Sequence, residues 1–181
     1  RSSDLKGVAF MHSFLSEGRR YNVSTDLRVI PADRFRPIRG SDFHGWRIGV
    51  DIDFPFALVR RPGGKKWTFD GKGFKEAGAL EWRSAVALTG AQKIHDGKLY
   101  YEAKEGFWVD DRHAGRVEPA KKMPKWGKNG EKWISVRIST QVLVAYEGET
   151  PVYATLVSSG EAGLGDPEET TATVRGIFRI H

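Results

Sequence analysis

Sustained helical periodicity is scarce in this chain, and short alternating runs closed by glycine are common. "KWISVRIST" sets Trp133, Ser135 and Arg137 against Ile134, Val136 and Ile138. Successive side chains of a strand point to opposite faces, so this run predicts a strand with the isoleucine–valine set on its dry face. "GKLYYEAKEGFWVDD" predicts a hairpin turning at Lys104–Gly106, and "FALVRR" leads through "PGGKKWTF" as strand, turn and strand. "RYNVSTDLRVI" predicts extended chain ending at Pro31, and "QVLVAYEGETPVYATLVSS" strand, turn and strand; "RGIFRIH" predicts one more strand. Only "GVAFMHSFLSEG" (Gly7–Gly18) and "FKEAGALEWRSAVAL" (Phe74–Leu88) have a pattern that a short helix could use. The predicted fold class is mostly β.

At 181 residues, with ordinary apolar content, six tryptophans and 21 glycines, the chain is one sizeable domain or two small ones with a buried core. The formal net charge of +6 suits nucleic acid, an anionic lipid surface or an anionic wall polymer, but the cations are dispersed rather than blocked. "RRPGGKKW" and "KKMPKWGKNGEKW" interleave cations with aromatics as a nucleic-acid grip does. The favoured reading of the second is a solvated linker anchored by Trp126 and Trp133, so nucleic acid is not the expected partner. There is no cysteine, which excludes from this chain a disulfide framework, a Cys-ligated zinc site and a thiol nucleophile. No stretch reaches the run of about 18 apolar residues that a spanning helix needs. "RSSDLKG" is not a signal peptide, and one removed earlier is compatible with a first residue other than Met.

Two segments echo each other. "YNVSTDLRVIPADRFRPIRG" (Tyr21–Gly40) and "YYEAKEGFWVDDRHAGRVEP" (Tyr100–Pro119) both run from an aromatic through a polar hairpin to a hydrophobic strand and then an Arg-containing strand. Each has the form of the last hairpin of a small barrel of the bacterial SH3-like type. "EPAKKMPKWGKNGEK" (Glu118–Lys132) is rich in Pro, Gly and Lys and has no periodicity, which predicts a junction. The expected organisation is an accessory region over 1–118, with SH3-like repeats at about 1–45 and 86–118, then a linker over 119–131 and a further domain over 132–181.

That last part carries a family likeness. Trp133–Gln141, Ala145–Gly148, Pro151–Val152, Thr155–Gly160 and Thr171–Ile180 reproduce a spaced series: W-I-x-V-x-(hydrophobic)-S-x-Q, A-Y-x-G, P-V, T-L-V-S-S-G, and T-A-T-x-R-G-x-F-R-I. The series resembles the opening of the L,D-transpeptidase (YkuD-type) catalytic domain and covers about the last fifty residues. Val174 stands where the family usually has proline. The resemblance implies the first strands of that family's β-sheet, peptidoglycan cross-linking in the cell envelope or periplasm, and stem peptides or glycan as partners. It also implies a Cys in an S-H-G-C segment downstream of the F-R-I strand. This chain holds neither, so no catalytic residue is carried over, and a second chain carrying the rest of the domain is a further expected partner. Acyl transfer needs an activated nucleophile, a base within reach and an oxyanion hole, and those parts are not in this stretch. The rival reading is a non-catalytic wall- or partner-binding β module.

Other candidates are thin. His12, His44, His95, His113 and His181 lack metal-ligand spacing, and no cofactor or metal is expected. Asp51 with Asp53, and Asp110 with Asp111, are paired carboxylates that acid–base chemistry could use, though solvated strand-edge charges are the commoner meaning. Ser158 and Ser159 precede Gly160 without a nucleophile elbow. "GEAGLGDP" lacks the Lys-Ser/Thr of a phosphate loop, and "NVS" at Asn22–Ser24 matches a glycosylation acceptor only formally.

Overall fold

The computed structural model describes residues 9–36, 42–160 and 164–178. They divide into two compact units between Asp42 and Phe43. Both units are antiparallel β, with one 3-10 turn at Ala32–Arg34 and one single-turn helix, α1 (Lys125–Lys128). No helix among the described residues is long and apolar enough to cross a membrane, and this says nothing of a β-barrel.

In the first unit β1 (Phe10–Ser16), β2 (Arg19–Ser24) and β3 (Val29–Pro31) form a three-stranded sheet in that order. The helix expected over Gly7–Gly18 is, over its described part, β1. Glu17 and Gly18 take positive φ (51° and 76°) and make a two-residue turn whose twist suits a hairpin, so the chain folds back on itself instead of coiling.

The second unit holds two sheets. The larger has the order β11 (Ala114–Val117), β5 (Phe56–Val59), β8 (Ala85–His95), β9 (Lys98–Ala103), β10 (Trp108–Asp110), β6 (Lys65–Phe69) and β7 (Phe74–Ala79). It curls strongly: Phe74 of β7 stacks on Tyr100 of β9 with ring centres 3.7 Å apart, although β10 and β6 lie between those strands. Trp67, Phe69, His95 and Trp108 complete the aromatic cluster inside this curl. The helix expected over Phe74–Leu88 is instead β7, a turn and the start of β8. Gly78 at φ +143° and Arg83 at φ +62° both leave helical geometry, and β7 has a partner in β6.

The smaller sheet has the order β12 (Lys132–Arg137), β13 (Val142–Glu147), β14 (Thr150–Leu156) and β4 (Trp46–Arg47). It does not stand apart from the first. The four residues of β5 are fully buried, and they alternate between two cores: Ala57 and Val59 join Val86, Leu88, Val109 and Tyr101, while Phe56 and Leu58 join Val117, Val142, Val144, Tyr146 and Ala154. A strand covered on both faces reads as an unbroken apolar run, and "FALV" is such a run.

The segment over 119–131 lies within the second unit rather than between bodies. Ala120 and Met123 pack on the second core, the Ala120 amide donates to Tyr146 Oη at 2.7 Å, and Trp133 stacks on Tyr146 at 4.0 Å. In β12 the alternation is as expected and its sense is reversed. Trp133, Ser135 and Arg137 turn inward, and Ile134 and Val136 are about half exposed. The inward choice follows from Trp133, whose ring both stacks and donates to the Gly148 carbonyl at 2.8 Å; one aromatic anchor outweighs two aliphatic side chains and sets the register for the strand. The strand expected over "RGIFRIH" is irregular chain over Arg175–Phe178, with no ladder partner among the described residues; 179–181 lie outside them.

Candidate functional site

One open cleft of about 220 Å³ lies where the two sheets of the second unit meet. Its walls are Phe43 ahead of β4, Arg60 after β5, Trp82 and Arg83 in the β7–β8 turn, Gln141 before β13, and Leu156, Val157 and Ser158 at the end of β14. Two of these residues hold left-handed backbone without being glycine, Arg83 at φ +62° and Gln141 at φ +55°. Such conformations cost energy and are kept where the surroundings over-determine them.

The Arg83 guanidinium carbon sits 4.1 Å from the centre of the Trp82 ring and 5.3 Å from that of Phe43. A cation on ring faces is held by the ring quadrupole, so the turn presents an aromatic–arginine stack to the cleft. Trp82 is 47% exposed, a large ring left open to solvent beside a cation. Arg60, which follows the Val59 whose carbonyl accepts from the Arg83 amide, donates through its two terminal nitrogens to the carbonyls of Ser139 and Asp111, each at 2.8 Å. Burial, with the nearby Arg61, pushes its pKa below the ordinary value, and arginine remains cationic all the same. Arg60 Nε is buried without a hydrogen-bond partner among the described residues.

Separated pieces of the sequence series meet beside Gln141. Gln141 Nε2 donates to Ser159 Oγ at 3.1 Å, and the Val157 amide donates to the Gln141 carbonyl at 2.9 Å. The Gly160 amide donates to Thr173 Oγ1 at 2.6 Å. Gly160 lies so close to the later segment of chain that a Cβ there would stand 1.9 Å from the Thr171 carbonyl oxygen; only glycine permits this approach.

The cleft offers two cations, a side-chain amide, a hydroxyl and aromatic faces. Among the described residues its walls hold no His, Asp, Glu or Cys, the residue types that supply a general base. What it can do is hold a ligand that carries a carboxylate or similar anion beside an apolar or ring-shaped body.

The remaining sequence candidates lie elsewhere. Asp51 is engaged by Arg47, which donates through its backbone amide, Nε and a terminal nitrogen at 2.8–3.0 Å. Those contacts hold its pKa down at about 2, and Asp53 is exposed, so the two do not act as a pair. Asp110 is buried, accepting from the His113 amide and meeting His113 Nδ1 at 2.8 Å and Trp67 Nε1 at 3.3 Å, whereas Asp111 is exposed in the turn. His95 belongs to the aromatic cluster, His12 to β1, His44 precedes β4, and His181 lies outside the described residues. No group of three or more His, Cys, Asp or Glu among the described residues could hold a metal ion. Trp82 and Arg83 were hidden from sequence reading by the apparent helical pattern of Phe74–Leu88; the adjacent W-R pair ahead of a small polar residue was the available signal. Compared with protein-family models, with curated proteins and with solved structures, the chain matches none.

Proposed function

We propose that this chain is part of a bacterial L,D-transpeptidase that cross-links or remodels peptidoglycan in the cell envelope, and that the cleft positions a wall stem peptide or its glycan. The observation that carries the reading is the meeting of Gln141, Ser159, Gly160 and Thr173. Three separately spaced pieces of the family-like series are joined by side-chain hydrogen bonds next to one cleft, which Gln141 lines. In this reading the acyl-accepting thiol lies outside these residues, which hold no cysteine. The curled sheet around Phe74 and Tyr100 supports an SH3-like accessory barrel, one that draws β6 and β7 from outside 86–118.

A second reading, a non-catalytic wall- or partner-binding module, is favoured by cleft walls that carry cations and rings. Nuclear magnetic resonance of the chain titrated with a disaccharide-tetrapeptide from peptidoglycan tests binding. The amides of Trp82, Arg83 and Gln141 are expected to shift, and Arg83→Ala or Trp82→Ala to weaken affinity about tenfold, ~1.4 kcal/mol. No shift at high ligand concentration overturns the first reading and the wall-binding form of the second. Binding without thioester chemistry, after the chain is joined to an S-H-G-C-bearing segment of an L,D-transpeptidase, leaves the module.

A further inference from the structure

The first unit repeats part of the second at a constant spacing of 79 residues. Tyr21 pairs with Pro31 and Asn22 with Ile30, as Tyr100 pairs with Asp110 and Tyr101 with Val109. Phe14 pairs with Tyr21 and Leu15 with Arg20, as Lys93 pairs with Tyr100 and Ile94 with Leu99. The connecting turns agree as well: Glu17 and Gly18 at φ 51° and 76° correspond to Asp96 and Gly97 at 48° and 72°, and Leu27 at 61° corresponds to Gly106 at 87°. So β1, β2 and β3 are a second copy of the end of β8, β9 and β10.

The copies differ in what lies beyond the third strand. In the second unit β6 pairs with β10 through Trp108 and Trp67, and β7 pairs with β6. Phe74 and Trp67 then lie against Tyr100, at 3.7 Å and 6.0 Å between ring centres, and leave it 4% exposed. In the first unit β3 is an edge among the described residues. The corresponding face carries Phe14 stacked on Tyr21 at 5.7 Å, and Val29, the counterpart of Trp108, is 57% exposed. Among the described residues of the first unit no hydrophobic side chain is buried, and an open strand edge beside exposed aromatics is a pairing surface.

We infer that β3 takes a two-stranded β-hairpin with the chemistry of Lys65–Ala79, aromatic on its inward face. The pairing is antiparallel to Val29–Pro31, and the inward rings cover Tyr21 and Phe14. This inference rests on the repeat alone and stands or falls apart from the transpeptidase reading.

The test fuses a copy of residues 65–79 ahead of residue 1 of the full chain. A control carries serine in place of the fused copy's tryptophan and both its phenylalanines. Amide hydrogen exchange at Tyr21, Asn22, Val29 and Ile30 is expected to slow about tenfold or more with the aromatic copy, and not with the control. The added indole is expected to give a near-ultraviolet dichroism band that the control lacks. Equal exchange in both fusions overturns the inference. So does a parent chain whose β1–β3 amides are already as protected as those of β8–β10, or one that sediments as a dimer with those amides protected.

Discussion

Gly160 and Asp51 show how much a single position decides here. A side chain at 160 would meet the backbone of Thr171–Thr173, so Gly160→Ala must separate the chain after β14 from the later segment. The expected cost is about 1–3 kcal/mol by chemical denaturation, the range for forcing atoms into an occupied space. At Gly73 a Cβ would meet only the His95 ring at 3.4 Å, and Gly73→Ala there is expected to change stability far less. Asp51 makes a pH prediction. Its folded pKa lies at about 2, below the ordinary 3.8, because Arg47 donates to it. A depressed carboxyl pKa stabilises the fold above the unfolded value, and that contribution is lost as pH falls through the window from about 4 to about 2. Titration followed at the Asp51 carboxyl carbon is expected to show a midpoint near 2, and Arg47→Gln is expected to move it up toward the ordinary range. An unmoved midpoint would show that the guanidinium is not the cause.

Among the elements, β5 and β12 respond to substitution in opposite ways. β5 is the wall shared by two cores, and Leu58 is fully buried. Leu58→Ala is expected to cost about 2–5 kcal/mol in a urea or guanidinium transition. Val136 lies on the outward face of β12 at 45% exposure, and Val136→Thr is expected to stay within about 0.5 kcal/mol. The reverse ranking would mean that the inward sense assigned to Trp133, Ser135 and Arg137 is wrong. Tyr146 ties the 119–131 segment to β13. Burial raises its pKa, and its hydroxyl accepts from the Ala120 amide. Tyr146→Phe leaves that part-buried amide without its acceptor, and a loss of about 1–3 kcal/mol is expected.

Across the second unit, the strands from 132 onward are not an appendage to what precedes them. Val142, Val144, Tyr146 and Ala154 share a core with Phe56, Leu58 and Val117. A chain ending at residue 131 is therefore expected to lose near-ultraviolet dichroism and amide dispersion in its nuclear magnetic resonance spectrum. Retained dispersion would show that the larger sheet folds without the smaller one. In the proposed function this shared core is what fixes the cleft: Trp82 and Arg83 come from one sheet's turn, Gln141 and Ser158 from the other sheet.

The order of strands and turns was legible in the sequence wherever glycine or a polar pair ended an alternating run, as at Lys104–Gly106 and through "EGETP", because turn geometry is a local property of the backbone. The spacing of the two hairpin echoes was legible for the same reason. Which face of β12 is buried was not, since Ile134 and Val136 are the more apolar pair and only the Trp133–Tyr146 stack reverses the choice. Phe74–Leu88 carries a helix-like pattern that loses to cross-strand pairing with β6. The cleft was invisible as well, because its residues lie as far apart as Phe43 and Ser158 and are brought together by sheet packing alone. Local chemistry in the sequence determined the turns and strands; long-range burial, decided only in the tertiary structure, chose their faces and assembled the site.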